Sequence, residues 1–291
     1  MATLALVLAG GGVAGIAWET GFLRGLEDES PLLAKELLDA DALIGTSAGS
    51  TVAAQVSSGV TLAELFEIQV DGVNHEISAT ADLQSIGAMF ASALADDSGP
   101  TRQLQLIGAA ARQAQTVEPA RRHAVIAARL PSTQWPDRPL LITAIDTDTG
   151  ELVVLDKRSG VGLVDAVAAS CAVPGVWPVV TIGNRRYMDG GVASTTNAQL
   201  AAGSDAAVVL VPAAEPGPYL LGGSLDEDLA RGAGATANLA VYADAESVDA
   251  MGLNPLDPEC RRPSAIAGRD QGRRQAAQVA EFLAGVRRTA G

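Results

Sequence analysis

Ser47 stands in the pentapeptide Gly45-Thr46-Ser47-Ala48-Gly49. A Gly-x-Ser-x-Gly stretch carries chemistry when a strand ends before it and a helix begins after it. The bend is then so sharp that side chains beside the serine must be absent, and the hydroxyl is exposed. Both flanks fit: Ala42-Leu43-Ile44 is a short apolar run, and residues 50–57 suit a helix. The positive end of that helix favours negative charge developing at the serine. The pattern therefore proposes acyl transfer through Ser47, with Gly45 and Gly49 as its structural supports. A plain Gly-Ser turn gives the same letters, so the rest of the chain must supply partners.

A second glycine loop is Gly10-Gly11-Gly12-Val13-Ala14-Gly15, between an apolar run at residues 4–8 and a helical stretch. Gly-x-Gly-x-x-Gly in that position is also the dinucleotide fingerprint. The acid that would hold a ribose at the end of the second strand is absent; the serine turn occupies its place. The alternative is an oxyanion hole, since successive N–H groups of such a turn converge on one point. That point falls near Ser47 if the first two strands are neighbours. An activated serine also needs a base. His75 and His123, the only histidines, lie in a poorly patterned stretch, and the Ser…Asp…His order would need a histidine near the C-terminus. A carboxylate or a lysine remains. Asp189, followed by Gly190 and Gly191, is the best-placed carboxylate, although an Asp-Gly hairpin turn would read the same way.

These residues need a scaffold. Apolar runs at 4–8, 42–44, 140–145, 151–155 and 206–211 read as strands, the last as the final buried strand. Residues 179–182 and 185–188 read as a hairpin across Gly183-Asn184. Helices are expected at 13–26, 32–38, from Thr61 with Glu64 as a capping box, at 163–170 and at 264–286. Residues 71–129 read as a weakly patterned helical insert, a lid or simple packing, and 215–223 as a loop. Strands alternating with helices give an α/β fold, a central mainly parallel sheet flanked by helices in one domain.

The net charge is −14 with 34 acidic and 20 basic residues in 291. That argues against nucleic acid as a partner and against general attraction to anionic membranes, leaving at most transient contact with a membrane or micelle surface. Lys35 and Lys157 are the only lysines, and the arginines near the C-terminus read as a solvated helix face. Cys171 and Cys260 make no disulfide framework and fit a reducing compartment; Cys171 reads as packing. No signal peptide or run of 18 apolar residues is present, so a soluble, cytoplasmic protein is expected.

The glycine loop, the serine turn and the Asp189-Gly190-Gly191 triplet stand in the order and approximate spacing of the patatin-like phospholipase family, which the chain resembles. Ala168-Ala169-Ser170-Cys171-Ala172-Val173-Pro174-Gly175 with Trp177-Pro178, and Asn197 beyond the triplet, are similar to further family features. The resemblance covers about the first 75 residues and 140–212. It implies a patatin-like three-layer α/β/α fold and a Ser/Asp dyad without histidine. Ser47 would be the nucleophile, Asp189 the base, and Gly10, Gly11 and Gly12 the oxyanion donors, with Gly15 as a supporting position. It also implies hydrolysis of lipid acyl esters without metal or cofactor. Ala14 departs from the family, which often carries Arg or Lys there, and bears on whether the substrate is a phospholipid. The other readings are a nucleotide-binding module and a catalytically silent relative.

Overall fold

The computed structural model describes residues 2–73, 75–77, 83–214, 219–231 and 237–289. Eight strands form one sheet: β1 (Leu4–Leu8), β2 (Ala42–Thr46), β3 (Leu140–Asp146), β4 (Leu152–Leu155), β5 (Val180–Ile182), β6 (Arg185–Asp189), β7 (Ala206–Val211) and β8 (Ala237–Tyr242). The pairing order is β5-β6-β3-β2-β1-β7-β8, with β4 also on β3. Pairings from β3 through β2, β1 and β7 to β8 are parallel; β4 and β6 pair with β3 antiparallel, and β5 with β6. The all-buried β7 and nearly all-buried β1 explain their continuous apolar runs.

Helices cover both faces. In chain order they are α1 (Gly12–Glu29), α2 (Pro31–Leu38), α3 (Ala48–Val56), α4 (Leu62–Val70), α5 (Leu83–Leu94), α6 (Pro100–Ala111), α7 (Pro119–Arg129), α8 (Leu163–Ser170), α9 (Leu225–Ala230), α10 (Ala245–Met251) and α11 (Arg261–Thr289). On one face Leu6, Leu8, Leu43, Ile142 and Val208 meet Trp18 and Phe22 of α1, Val52 of α3, Val167 of α8 and Val279 of α11. On the other, Val7, Ile44 and Val209 meet a 3-10 turn, Ala198–Ala201, and α9. Ile145 and Met188 meet Leu104 and Ile107 of α6. Successive residues of each strand feed opposite faces, so the expected three layers form.

Most expected elements are present, with shifted ends. The helix after the serine begins at Ala48, and the C-terminal helix runs from Arg261 to Thr289. The Thr61–Glu64 capping box forms on α4. The insert holds α5, α6 and α7; residues 78–82 within it, and 215–218 of the expected loop, lie outside the described residues. One expectation is corrected: β7 is not the last strand. β8 extends the sheet at its edge, and Val241 is its one buried residue.

One detail of β3 positions the site. Asp146 N donates to Glu151 O on the β4 side, whereas Leu43 N donates to Pro139 O and Thr147 N to Arg186 O. Even-numbered residues of β3 therefore face β4, and odd-numbered ones face both β2 and β6. β2 and β6 share one edge of β3, in succession. Thr46 pairs with Thr143 and Asp189 with Ala144, so the two strands run head to head and their last residues are neighbours.

Candidate active site

Ser47 follows β2 and is the N-cap of α3, with φ 52° and ψ −114°. A positive φ in a residue with a side chain is a strained state that persists only where surroundings enforce it. Here they do. Ser47 N donates to Ser170 Oγ at 2.8 Å, and Ser47 O accepts from Ser50 Oγ at 2.6 Å and from Cys171 Sγ at 3.2 Å. A Cβ on Gly45 would come within 2.5 Å of the Ser50 Cα, and one on Gly49 would strike Leu8 O of β1. These two positions must be glycine because the bend presses against α3 and the neighbouring strand.

β1 and β2 are adjacent, with Leu8 paired to Gly45, so the glycine loop and the serine turn leave the sheet side by side. A Cβ on Gly10 would lie 3.5 Å from the Ser47 Cβ. Of the three expected oxyanion donors, Gly10 is already engaged: its N–H donates to Thr195 O at 2.8 Å. The loop must be tied to the chain beyond the Asp189 triplet, and that tie uses the first amide. The amides of Gly11 and Gly12 open α1, where helical N–H groups have no intrahelical partner. The Ala48 amide opens α3 in the same way. Gly12 and Ala48 line one cavity with Ser47. Gly15 is confined between Pro212 and the Ala48 Cβ. Ala14 N donates to Pro255 O, and a Cβ on Gly12 would lie 2.7 Å from that oxygen. Pro255 thus roofs the loop, where a dinucleotide pyrophosphate would need open backbone.

Asp189 ends β6 and is 3 % exposed. Its Oδ1 accepts from Gly191 N at 2.7 Å, while Oδ2 is buried without a hydrogen-bond partner. Burial pushes its carboxyl up to about 6, opposed by hydrogen bonding from Ser47, by the Gly191 N–H and by the Arg122 charge. Ser47 is thus near enough to act on the carboxyl, but no bond of full hydrogen-bond geometry joins it to Oδ2. Such slack is common at catalytic pairs without substrate. A Cβ on Gly190 would lie 2.5 Å from Thr143 Oγ1, which accounts for that glycine.

Asn197 fastens the two strand ends. In the left-handed conformation (φ 49°), its Nδ2 donates to Thr46 Oγ1 at 3.0 Å and to Ser194 O at 2.8 Å. Thr46 Oγ1 in turn meets Thr143 Oγ1 at 2.9 Å.

The other bases considered lie elsewhere. His123 Nε2 is 2.9 Å from Asp165 Oδ1 on the surface, and exposed His75 lines an adjoining cavity that shares Val13, Ile16 and Arg129 with the one over Ser47 but does not include Ser47. Lys35 pairs with Asp39 and Lys157 with Asp137, both exposed. Burial pushes the Cys171 thiol up, away from the thiolate, which suits packing under the bend. Among the described residues no cluster of His, Cys, Asp or Glu could hold a metal, and no helix is long and apolar enough to cross a membrane.

The cavity over Ser47 is about 10 Å³, room for about one water. Val13, Ile16, Val173, Trp177 and Leu256 make it apolar, and Arg122 and Arg129 of α7 enter its wall. Sequence reasoning missed Ser170 as the anchor of the Ser47 amide and missed both arginines. For the arginines a signal existed: Arg122, Val125, Ile126 and Arg129 recur at i, i+3, i+4 and i+7 on one face of α7, so arginine replaces apolar residues in a buried stripe.

A mainly parallel α/β sheet carrying a strained serine at a strand-to-helix bend, with a buried carboxyl rather than a histidine beside it, defines a narrow class. The chain belongs to the patatin-like phospholipase family, whose model matches residues 6–202. No curated protein matches it in sequence. Among solved structures it is similar to VipD from Legionella pneumophila, at 11 % identity and TM-score 0.46 over 95 % of this chain and 67 % of VipD. It is also similar to the type III effector protein ExoU, at 18 % identity and TM-score 0.44 over 95 % of this chain. The match takes in 53 % of ExoU, so this chain spans about half that protein's length.

Proposed function

We propose that the protein hydrolyses lipid or carboxyl esters through a Ser47–Asp189 dyad. The observation that carries this is the unpartnered, buried Oδ2 of Asp189 beside a serine held in a strained bend. Asp189 takes the Ser47 proton as Oγ attacks the ester carbonyl carbon. The tetrahedral oxyanion is held by the amides of Gly11, Gly12 and Ala48, each aimed donor contributing about 3 kcal/mol. Collapse breaks the ester C–O bond, and the proton on Asp189 passes to the leaving alcohol. Water, with Asp189 again as base, attacks the acyl-serine; the acid leaves and Ser47 recovers its proton. The space over Ser47 holds about one water and is bounded by Arg122 and Arg129 of α7 and by Leu256, so an acyl chain would press on these elements.

A fluorophosphonate probe should label Ser47, and Ser47→Ala should abolish both labelling and p-nitrophenyl butyrate hydrolysis with the circular dichroism spectrum unchanged. Hydrolysis persisting in that variant would refute the dyad. Labelling absent from the folded wild type would favour a silent relative instead.

A further inference from the structure

Asp228 is a buried acid that the reaction above does not use. It belongs to α9, is 1 % exposed, and no motif of the sequence marks it. Its Oδ2 accepts from Ser194 Oγ at 2.5 Å, and its Oδ1 accepts from exposed Arg231 Nη1 at 3.4 Å. A hydroxyl donating to a carboxylate makes a short, strong bond. That bond also fixes the hydroxyl rotor. With its one proton on Asp228, Ser194 Oγ has only lone pairs left for its other neighbours. These accept from Asn197 N at 2.8 Å and from Thr196 N at 3.3 Å. Both lone pairs are engaged, so Ser194 and Asp228 are not a second nucleophile and base.

The turn closed in this way, residues 194–197, carries the ties that join the parts of the site. Thr195 O accepts from Gly10 N of the glycine loop at 2.8 Å. Asn197 is held left-handed, and its Nδ2 donates to Thr46 Oγ1 beside Ser47 and lies 3.5 Å from Gly190 O beside Asp189. Without Asp228 the Ser194 hydroxyl turns freely, and the buried Thr196 and Asn197 amides lose a fixed acceptor. We propose that Asp228 is a positioning residue for the hydrolysis: through Ser194 it holds the 194–197 turn, which sets the glycine loop and Asp189 against Ser47. The proposal rests on the hydrolase reading above. Misplacing reacting groups by about 1 Å can cost about a hundredfold in rate. An alternative role, fastening α9 to the sheet, would lower stability and leave turnover by the folded protein alone.

The test follows p-nitrophenyl butyrate hydrolysis well below each variant's Tm, together with the rate at which the fluorophosphonate labels Ser47. Asp228→Ala should lower kcat about tenfold or more with KM within about twofold, and slow labelling to match. Asp228→Asn keeps an oxygen for the Ser194 hydroxyl and should recover most of that loss. Ser194→Ala should lose as much as Asp228→Ala, and the double variant no more than either, because the two side chains act as one unit. A folded Asp228→Ala with wild-type kcat, or losses that multiply in the double variant, would overturn the proposal. Should Asp228→Ala not fold, Ser194→Ala decides: a lowered kcat at unchanged KM sustains the proposal, and an unchanged kcat overturns it. A wild type that neither hydrolyses nor labels removes the hydrolase reading and this proposal together. An active wild type indifferent to Asp228 removes this proposal alone.

Discussion

Asp189 must be ionised to take a proton, and burial pushes its carboxyl up to about 6. The proposed activity should therefore rise with pH, reach half its maximum near 6, and level off above. A kcat/KM profile half-maximal near 4 would show a solvated carboxylate instead. The same shift bears on stability. Folding raises the pKa from 3.8 to about 6, so ionised Asp189 costs about 3 kcal/mol above pH 6, a penalty relieved as pH falls from 6 towards 3.8. Asp189→Asn retains an acceptor for the Gly191 amide and carries no charge. It should abolish ester hydrolysis yet raise Tm by several degrees at pH 8, with little gain at pH 4. Scanning calorimetry at both values checks this. Glu19 is a second such case: both carboxyl oxygens are buried without partners and its pKa is pushed well above the usual range by burial. Glu19→Gln should stabilise the fold in the same pH sense.

Elements hold these residues through backbone contact. α1 and α11 cross where Gly21 and Gly25 face Ala265 O and Arg269 O, and where Gly268 and Gly272 face Trp18 O and Phe22 O. A Cβ at any of the four would strike the other helix, so Gly25→Val should cost about 1–3 kcal/mol or more, read as a lower urea midpoint. Asn197→Ala leaves the Ser194 carbonyl and Thr46 hydroxyl short of a donor. It should cost about 1–3 kcal/mol and lower kcat more than it raises KM, because it loosens the ends of β2 and β6 without touching substrate. Much of this scale was legible in sequence. Gly45, Gly49 and Gly190 are glycine because backbone or side chains leave no space for a Cβ, and such demands mark a motif. The hydrogen bond from Ser47 N to Ser170 Oγ joins residues 123 apart, and the tie from Gly10 to Thr195 is longer still. No local pattern announces either. β8 escaped notice although Leu239-Ala240-Val241-Tyr242-Ala243 is a continuous apolar run, because a run this short does not by itself separate a strand from a helix segment.

The whole molecule carries −14 while its Ser47 cavity has two arginines in its wall. Long-range repulsion acts during approach, before any group reaches these buried side chains. Hydrolysis of anionic vesicles should therefore quicken as salt rises from 10 to 150 mM, about a fourfold fall in Debye length, while phosphatidylcholine vesicles respond little. An equal response on both would remove the repulsion argument. Composition gave the sign of this field in advance. It could not reveal the local exception, because a buried cation counts the same in the total as a solvated one.

The meeting of β2 and β6 along β3 makes the separation of Ser47 and Asp189 a matter of strand register. Sliding β6 by two residues would carry the carboxyl about 7 Å from the hydroxyl. Adding a single residue before Asp189 would turn that side chain to the opposite side of the sheet. Lengthening the hairpin turn at Gly183 should therefore leave this meeting intact, whereas an insertion within Arg185–Asp189 should break it.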